Sequence, residues 1–140
     1  KYKFAYLPKL TPASGMKNLR LYILDGNATA SGSITHAGSE VPYTVESVSS
    51  SKLKIYDIDL SKYTDITSVT ANTQGSYMAL VPEGANFKAT SYNPDGTLYA
   101  RFDQSGNVEY YTYDAAGRVI KVEDQYGNIL KTYEYNKLNN

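Results

Sequence analysis

The sequence predicts an all-β protein, an antiparallel β-sandwich followed by a β-hairpin meander. Side chains alternate between two sides along the longest aliphatic stretch, 17–27, which fits a strand better than a helix. Clusters of Gly, Ser, Asn and Pro separate the predicted strands at short intervals, as they do in sandwiches and barrels. From about Asn86 onward the turn signals recur at a nearly constant spacing, which indicates consecutive hairpins.

The predicted strands before Asn86 are short and rich in Tyr, Val, Ile and Thr, the residues that favour strands. The longest aliphatic stretch, 17–27, places Leu19, Leu21 and Ile23 on one side. Turn clusters are predicted at Thr11–Gly15 and Asn27–Ser33. The other predicted strands are Tyr2–Leu7, Tyr43–Val48, Leu53–Leu60, Ile66–Thr70 and Tyr77–Val81. We assign residues 1–85 to a β-sandwich-like domain that a longer parent chain could complete at its N-terminus.

Residues 86–140 are predicted to form a meander, because four turns of the form (Asn or Asp)-x-x-Gly recur every 10 residues or so. They are Asn93–Gly96, Asp103–Gly106, Asp114–Gly117 and Asp124–Gly127. An acid or amide opens such a turn, and Gly takes a positive φ at its end. The turn residues given this structural role are Asp103, Gly106, Asp114, Gly117, Arg118, Asp124, Gly127 and Asn128.

The turns also predict a strand register and two faces of the sheet. Facing pairs are Phe102–Val108, Ala100–Tyr110, Thr112–Ile120, Tyr110–Val122, Val122–Leu130 and Ile120–Thr132. The predicted apolar face contains Leu98, Ala100, Phe102, Val108, Tyr110, Ile120, Val122 and Leu130. The opposite face contains Tyr99, Arg101, Glu109, Tyr111, Tyr113, Val119, Lys121, Lys131 and Tyr133. On it we expect an Arg101–Glu109 pair and a Tyr99–Tyr111 pair.

Two motifs stand in the meander: Tyr111-Thr-Tyr-Asp-Ala-Ala-Gly-Arg-Val119 and Asp124-Gln-Tyr-Gly-Asn128. They resemble the tyrosine–aspartate (YD) repeat of RHS-type proteins, with Val119 where Leu is the commonest residue. The resemblance extends over about 93–135 and covers about two copies. It implies a short C-terminal repeat tail of a large secreted or cell-surface bacterial protein.

The preceding segment carries a second resemblance. Residues 56–69 (Tyr-Asp-Ile-Asp-Leu-Ser-Lys-Tyr-Thr-Asp-Ile-Thr-Ser-Val) and 77–84 (Tyr-Met-Ala-Leu-Val-Pro-Glu-Gly) look like the closing strands of a carbohydrate-binding-type jelly-roll. In bacterial surface proteins such a sandwich is sometimes followed by a YD-repeat tail. The resemblance therefore implies a non-catalytic accessory region.

Composition narrows the function classes. Fourteen basic and fourteen acidic residues give zero net charge, which argues against nucleic-acid binding. No apolar run is long enough for membrane insertion, and there is no Cys for thiol chemistry. The only histidine, His36, is interpreted as an exposed loop residue, and Asp57 and Asp59 as a solvated strand face. We therefore expect no catalytic residue, metal or cofactor.

Tyrosine is the unusual residue, with 15 copies against 3 Phe and no Trp. The candidate binding residues are Tyr99, Arg101, Tyr111, Tyr113 and Tyr133. These rings could cover a half-buried sheet, anchor a protein partner or an adjacent domain, or bind a glycan. We predict a non-catalytic structural or interaction module. The alternatives are a carbohydrate-binding module and a C-terminal signal for export or surface attachment.

Overall fold

The chain is all-β. A computed structural model describes residues 4–6, 9–13 and 15–135, and these ranges form strands, turns and loops without a helix. The all-β class predicted from residue alternation is confirmed. The chain divides into two compact units, one ending at Asn86 and the other beginning at Phe87.

The first unit is built from antiparallel sheets. Within the described residues the strands are β1 (Phe4–Tyr6), β2 (Lys9–Leu10), β3 (Asn18–Leu24), β4 (Thr29–His36), β5 (Ser39–Glu46), β6 (Leu53–Asp59), β7 (Ile66–Ala71), β8 (Thr73–Gly75) and β9 (Tyr77–Pro82). One sheet has the strand order β2, β7, β4, β5. A second sheet has the order β6, β3, β9, and β1 pairs with β8.

Residues of both larger sheets meet in one apolar core. Leu21 of β3, Tyr56 of β6 and Val69 of β7 are fully buried in it, and Ile34 of β4 is almost fully buried. The Tyr56 hydroxyl donates a hydrogen bond to the carbonyl oxygen of Asn27, and burial raises the pKa of Tyr56 to about 12. Two sheets that share one core are consistent with a β-sandwich.

Strand β4 occupies a segment that the sequence assigned in part to a turn. The predicted turn cluster Asn27–Ser33 is wrong from Thr29 onward, because β4 pairs with β5 and β7 there. Gly32 stands in mid-strand because a Cβ would lie 1.9 Å from the carbonyl oxygen of Thr70. It would also lie 2.6 Å from the Tyr43 hydroxyl. The glycine thus permits a close approach between strands and does not form a turn.

The second unit is a single five-stranded antiparallel sheet whose strands follow chain order. The strands are β10 (Lys88–Tyr92), β11 (Leu98–Asp103), β12 (Val108–Tyr113), β13 (Val119–Glu123) and β14 (Ile129–Thr132). Phe102 and Val108, which face each other across β11 and β12, are 3% and 2% exposed. The sheet therefore contains buried apolar residues.

Each turn of this sheet is closed by its opening residue. In the third turn, the Asp114 amide donates to the Arg118 carbonyl at 2.9 Å. The Asp114 Oδ1 accepts hydrogen bonds from the amides of Ala116 and Arg118, both at 2.9 Å. Asp103 and Asp124 accept equivalent pairs of amides. Gly96, Gly106, Gly117 and Gly127 have φ between 81° and 91°.

The predicted register is correct between β11 and β12 and wrong beyond β12. Phe102 faces Val108 and Ala100 faces Tyr110 as predicted. Thr112 faces Lys121 in place of Ile120, and Val122 faces Lys131 in place of Leu130. Tyr110 faces Glu123 in place of Val122, and Thr132 faces Lys121 in place of Ile120. A β-bulge follows the third turn and another follows the fourth turn. Each bulge adds one residue to the strand after the turn, and this shifts the facing pairs by one residue.

The bulges also rearrange the predicted apolar face. Of its members, Ala100, Phe102, Val108, Tyr110 and Val122 are buried. Leu98 and Ile120 are half-buried, and Leu130 is 50% exposed. By its pairing, Val122 shares a face with Tyr111.

Candidate interaction surface on the five-stranded sheet

Three of the side chains on the predicted polar face form one hydrogen-bonded group. Arg101 and Glu109 face each other across β11 and β12, and Tyr111 follows Glu109 on the same face of β12. The Arg101 Nε donates to the Glu109 Oε1 at 2.6 Å. The Tyr111 hydroxyl donates to the same oxygen at 2.9 Å, and the Arg101 guanidinium lies 5.7 Å from the centre of the Tyr111 ring. We call these three residues the Arg–Glu–Tyr cluster.

The electrostatics of the cluster follow from these contacts. The hydrogen bond from Arg101, followed by that from Tyr111, lowers the pKa of Glu109. The same bond to Glu109 raises the pKa of Arg101. Burial, and then the bond to Glu109, raises the pKa of Tyr111. At neutral pH the cluster therefore presents a paired cation and anion beside a neutral phenol.

The other two candidate tyrosines of β11 and β12 have structural contacts. The Tyr113 hydroxyl donates to the carbonyl oxygen of Leu98 at 2.7 Å. Tyr99 is the extra residue of a bulge in β11, since Ser91 faces Ala100 and Tyr92 faces Leu98. Its ring packs 5.6 Å from that of Tyr110. Both tyrosines therefore contact other residues of the same sheet.

The fifth candidate, Tyr133, lies in a different part of the sheet. It follows β14 and is 41% exposed. Four further apolar or aromatic residues near it in sequence are exposed: Tyr126 of the fourth turn (71%), Ile129 (60%) and Leu130 (50%) of β14, and Tyr135 (40%). Sequence reasoning missed the exposure of these four, although the placement of Tyr126 in a tight turn signalled an exposed ring.

Arg118, which follows the third turn, contacts both that turn and Tyr135. Its guanidinium lies 4.3 Å from the centre of the Tyr135 ring, and its Nη2 lies 2.9 Å from the Asp114 Oδ2. The backbone hydrogen bond from Arg118 is the largest influence lowering the pKa of Asp114. Arg118 thus has a structural role within the hairpin.

A groove of about 690 Å³ lies beside the Arg–Glu–Tyr cluster. Arg101 and Glu109 line it together with Lys88, Thr90, Asp124 and Gln125. The lining also includes Ala89, Phe102, Val108 and Leu130. The groove therefore offers charges of both signs together with apolar contacts.

Two glutamines in the turns hold the strands in place. The Gln104 Oε1 accepts from the amide of Phe87, and the Gln125 Oε1 accepts from the amide of Val108, both at 3.2 Å. The two contacts lie about 21 residues apart, which is the length of one repeat of two strands. The same kind of contact therefore recurs along the sheet, and we call each one a glutamine clamp.

The residues considered for catalysis have structural partners. His36 ends strand β4 with its ring 4.8 Å from that of Tyr63, so the loop assignment is wrong. Asp57 accepts from the Arg20 Nε at 2.7 Å, and Asp59 accepts from the Ser61 hydroxyl at 2.6 Å. Within residues 4–6, 9–13 and 15–135 there is no group of three or more His, Cys, Asp or Glu that could hold a metal ion.

No protein-family model, no curated protein and no solved structure matches the chain. The resemblance to YD repeats therefore stays a prediction. Among the described residues no helix is long and apolar enough to cross a membrane.

Proposed function

We propose that this chain is a non-catalytic structural and interaction module of a larger secreted or cell-surface bacterial protein. In this proposal the second unit is a short YD-repeat meander, and the first is a jelly-roll-type sandwich. The meander presents its tyrosine-bearing face to a protein partner or to a neighbouring domain.

The observation that carries the proposal is the Arg–Glu–Tyr cluster. Its three side chains are held by two hydrogen bonds to one carboxylate oxygen, so little side-chain freedom is lost when a partner binds. Arg and Tyr are the residues that most often anchor protein interfaces. Arg101 keeps 58% of its side chain exposed and can still donate to a partner through its remaining N–H groups.

Arg101→Ala and Tyr111→Ala, two members of the cluster, test the proposal. The intact chain is immobilised and exposed to bacterial culture medium and cell-envelope extract, and retained proteins are quantified by mass spectrometry. We expect at least one protein to be retained by the wild type and lost with both variants. Val48→Ala is the matched control, since Val48 is 66% exposed on the first unit, and it should retain that protein. Retention that is identical in all four proteins would reject the proposal.

The groove favours one further candidate, a carbohydrate-binding module, because hydroxyl-rich ligands need charged and polar partners of the kind that line it. A glycan array distinguishes the two. A glycan bound by the wild type and lost with Lys88→Ala would favour the carbohydrate function. An array without bound glycans at high protein density would reject it.

A further inference from the structure

Among the described residues, strand β14 has one side that no other strand covers. It is the last strand in the order of its sheet and pairs with β13. The Tyr133 amide donates to the Ile120 carbonyl on the β13 side at 2.9 Å. Since amides alternate in direction along a strand, the amide of Thr132, the last residue of β14, points to the uncovered side. Thr132 is exposed.

The first residues of β12 and β14 show how a neighbouring strand on each side changes the exposure of a side chain. Val108 begins β12 and is 2% exposed, with β11 and β13 on either side. Ile129 begins β14 at the corresponding position about 21 residues later and is 60% exposed. Leu130 is 50% exposed. An uncovered strand with exposed apolar residues is a template for pairing with another strand.

We propose that the partner is a second copy of this chain, joined by antiparallel pairing of β14 with the partner's β14 about a twofold axis at Thr132. A twofold contact closes after two copies and gives a finite dimer. In this register Lys131 faces the partner's Tyr133, and Leu130 faces the partner's Glu134, so no like charges oppose each other. The zero net charge of the chain removes long-range repulsion between the copies.

This dimer does not depend on the Arg–Glu–Tyr cluster, which lies on other strands. Arg101→Ala is expected to leave it intact. Loss of the dimer and loss of the proposed partner are therefore separate results.

Sedimentation of the 140-residue chain tests the proposal. We expect the apparent mass to rise from 15.5 kDa toward twice that value as the concentration increases from about 10 μM to about 1 mM. A monomer throughout this range would overturn the proposal.

The variant Thr132→Lys tests whether β14 forms the dimer interface. It places two ammonium groups opposite each other at the twofold axis, where like charges are destabilising, so we expect a monomer at all concentrations. Thr29→Lys is the control with the same change of charge, because Thr29 is exposed and faces Glu46 in the first unit. A dimer that persists in Thr132→Lys would place the interface elsewhere and overturn the proposal. Far-UV circular dichroism verifies that both variants are folded.

A spin label gives a direct measurement, because the chain has no native Cys. Facing Cα atoms in such a pair are about 5.5 Å apart. We therefore expect strong dipolar broadening from labels at Thr132→Cys and none from labels at Thr29→Cys. Labels at Thr132→Cys that show no broadening in the dimer would exclude this register.

Discussion

Gly117 ends the third turn of the meander with φ of 81°, and beyond its chain neighbours no described atom lies within 4 Å of the position that a Cβ would occupy. The glycine is therefore needed for its backbone conformation and not for space. We expect Gly117→Ala to lower the free energy of unfolding by about 1 to 2 kcal/mol. Gly117→Asn should lose less, since Asn adopts this conformation more readily. Urea unfolding measures both, and equal losses would contradict this explanation.

The second prediction at the scale of residues concerns the pH dependence of the stability that Glu109 contributes. Its carboxylate has a lowered pKa because Arg101, and then Tyr111, donate to it. The stability from these bonds is therefore fully present above the unfolded-state pKa of about 4.3. It is lost as the pH falls through the lower folded-state value. In an NMR titration we expect Arg101→Gln to raise the Glu109 midpoint. Lys121→Gln, with the same change of charge, should leave it in place, and an equal rise in both variants would contradict the assignment.

At the scale of elements, the two glutamine clamps connect the second and the fourth turn to the start of a strand in the preceding hairpin. Gln125→Ala removes an acceptor from the amide of Val108, and such a bond contributes about 1 kcal/mol. We expect the Val108 amide to exchange with solvent up to about tenfold faster, because local opening becomes easier.

Gln104→Ala is the reciprocal control for this measurement. It should accelerate exchange at Phe87, whose amide donates to Gln104, and leave Val108 unchanged. Faster exchange at both amides in either variant would mean that the substitutions loosen the whole sheet.

The sequence predicts the elements better than it predicts how they pair. Alternation located strand β3, and runs rich in Tyr, Val, Ile and Thr located β6, β7 and β9, because these residues favour strands. Both patterns missed β4, because Gly32 and its Ser neighbours have the composition of a turn. There the interstrand contact with Thr70 decides the structure, and a contact so distant in sequence leaves no local signal.

In the candidate site, too, pairing was predicted correctly only where no bulge intervenes. The Arg101–Glu109 pair was predicted correctly, because the loop between β11 and β12 has no bulge after it. The Tyr99 contact with Tyr110 and the register of β13 and β14 depend on bulges. A bulge adds one residue without changing the turn motif, so motif spacing alone cannot reveal it. The exposure of Ile129 and Leu130 depends on which strands flank β14, which is a property of the whole sheet.

At the scale of the whole molecule, each unit has its own buried residues, and this predicts two unfolding transitions. Leu21 is fully buried in the core of the first unit, and Phe102 is 3% exposed in the second. Leu21→Ala should cost about 2 to 5 kcal/mol and Phe102→Ala about 3 to 5 kcal/mol. In differential scanning calorimetry of the full chain, we expect each variant to lower the midpoint of a different transition. The two variants serve as controls for each other. One transition that both variants lower together would mean that the chain unfolds as one cooperative domain.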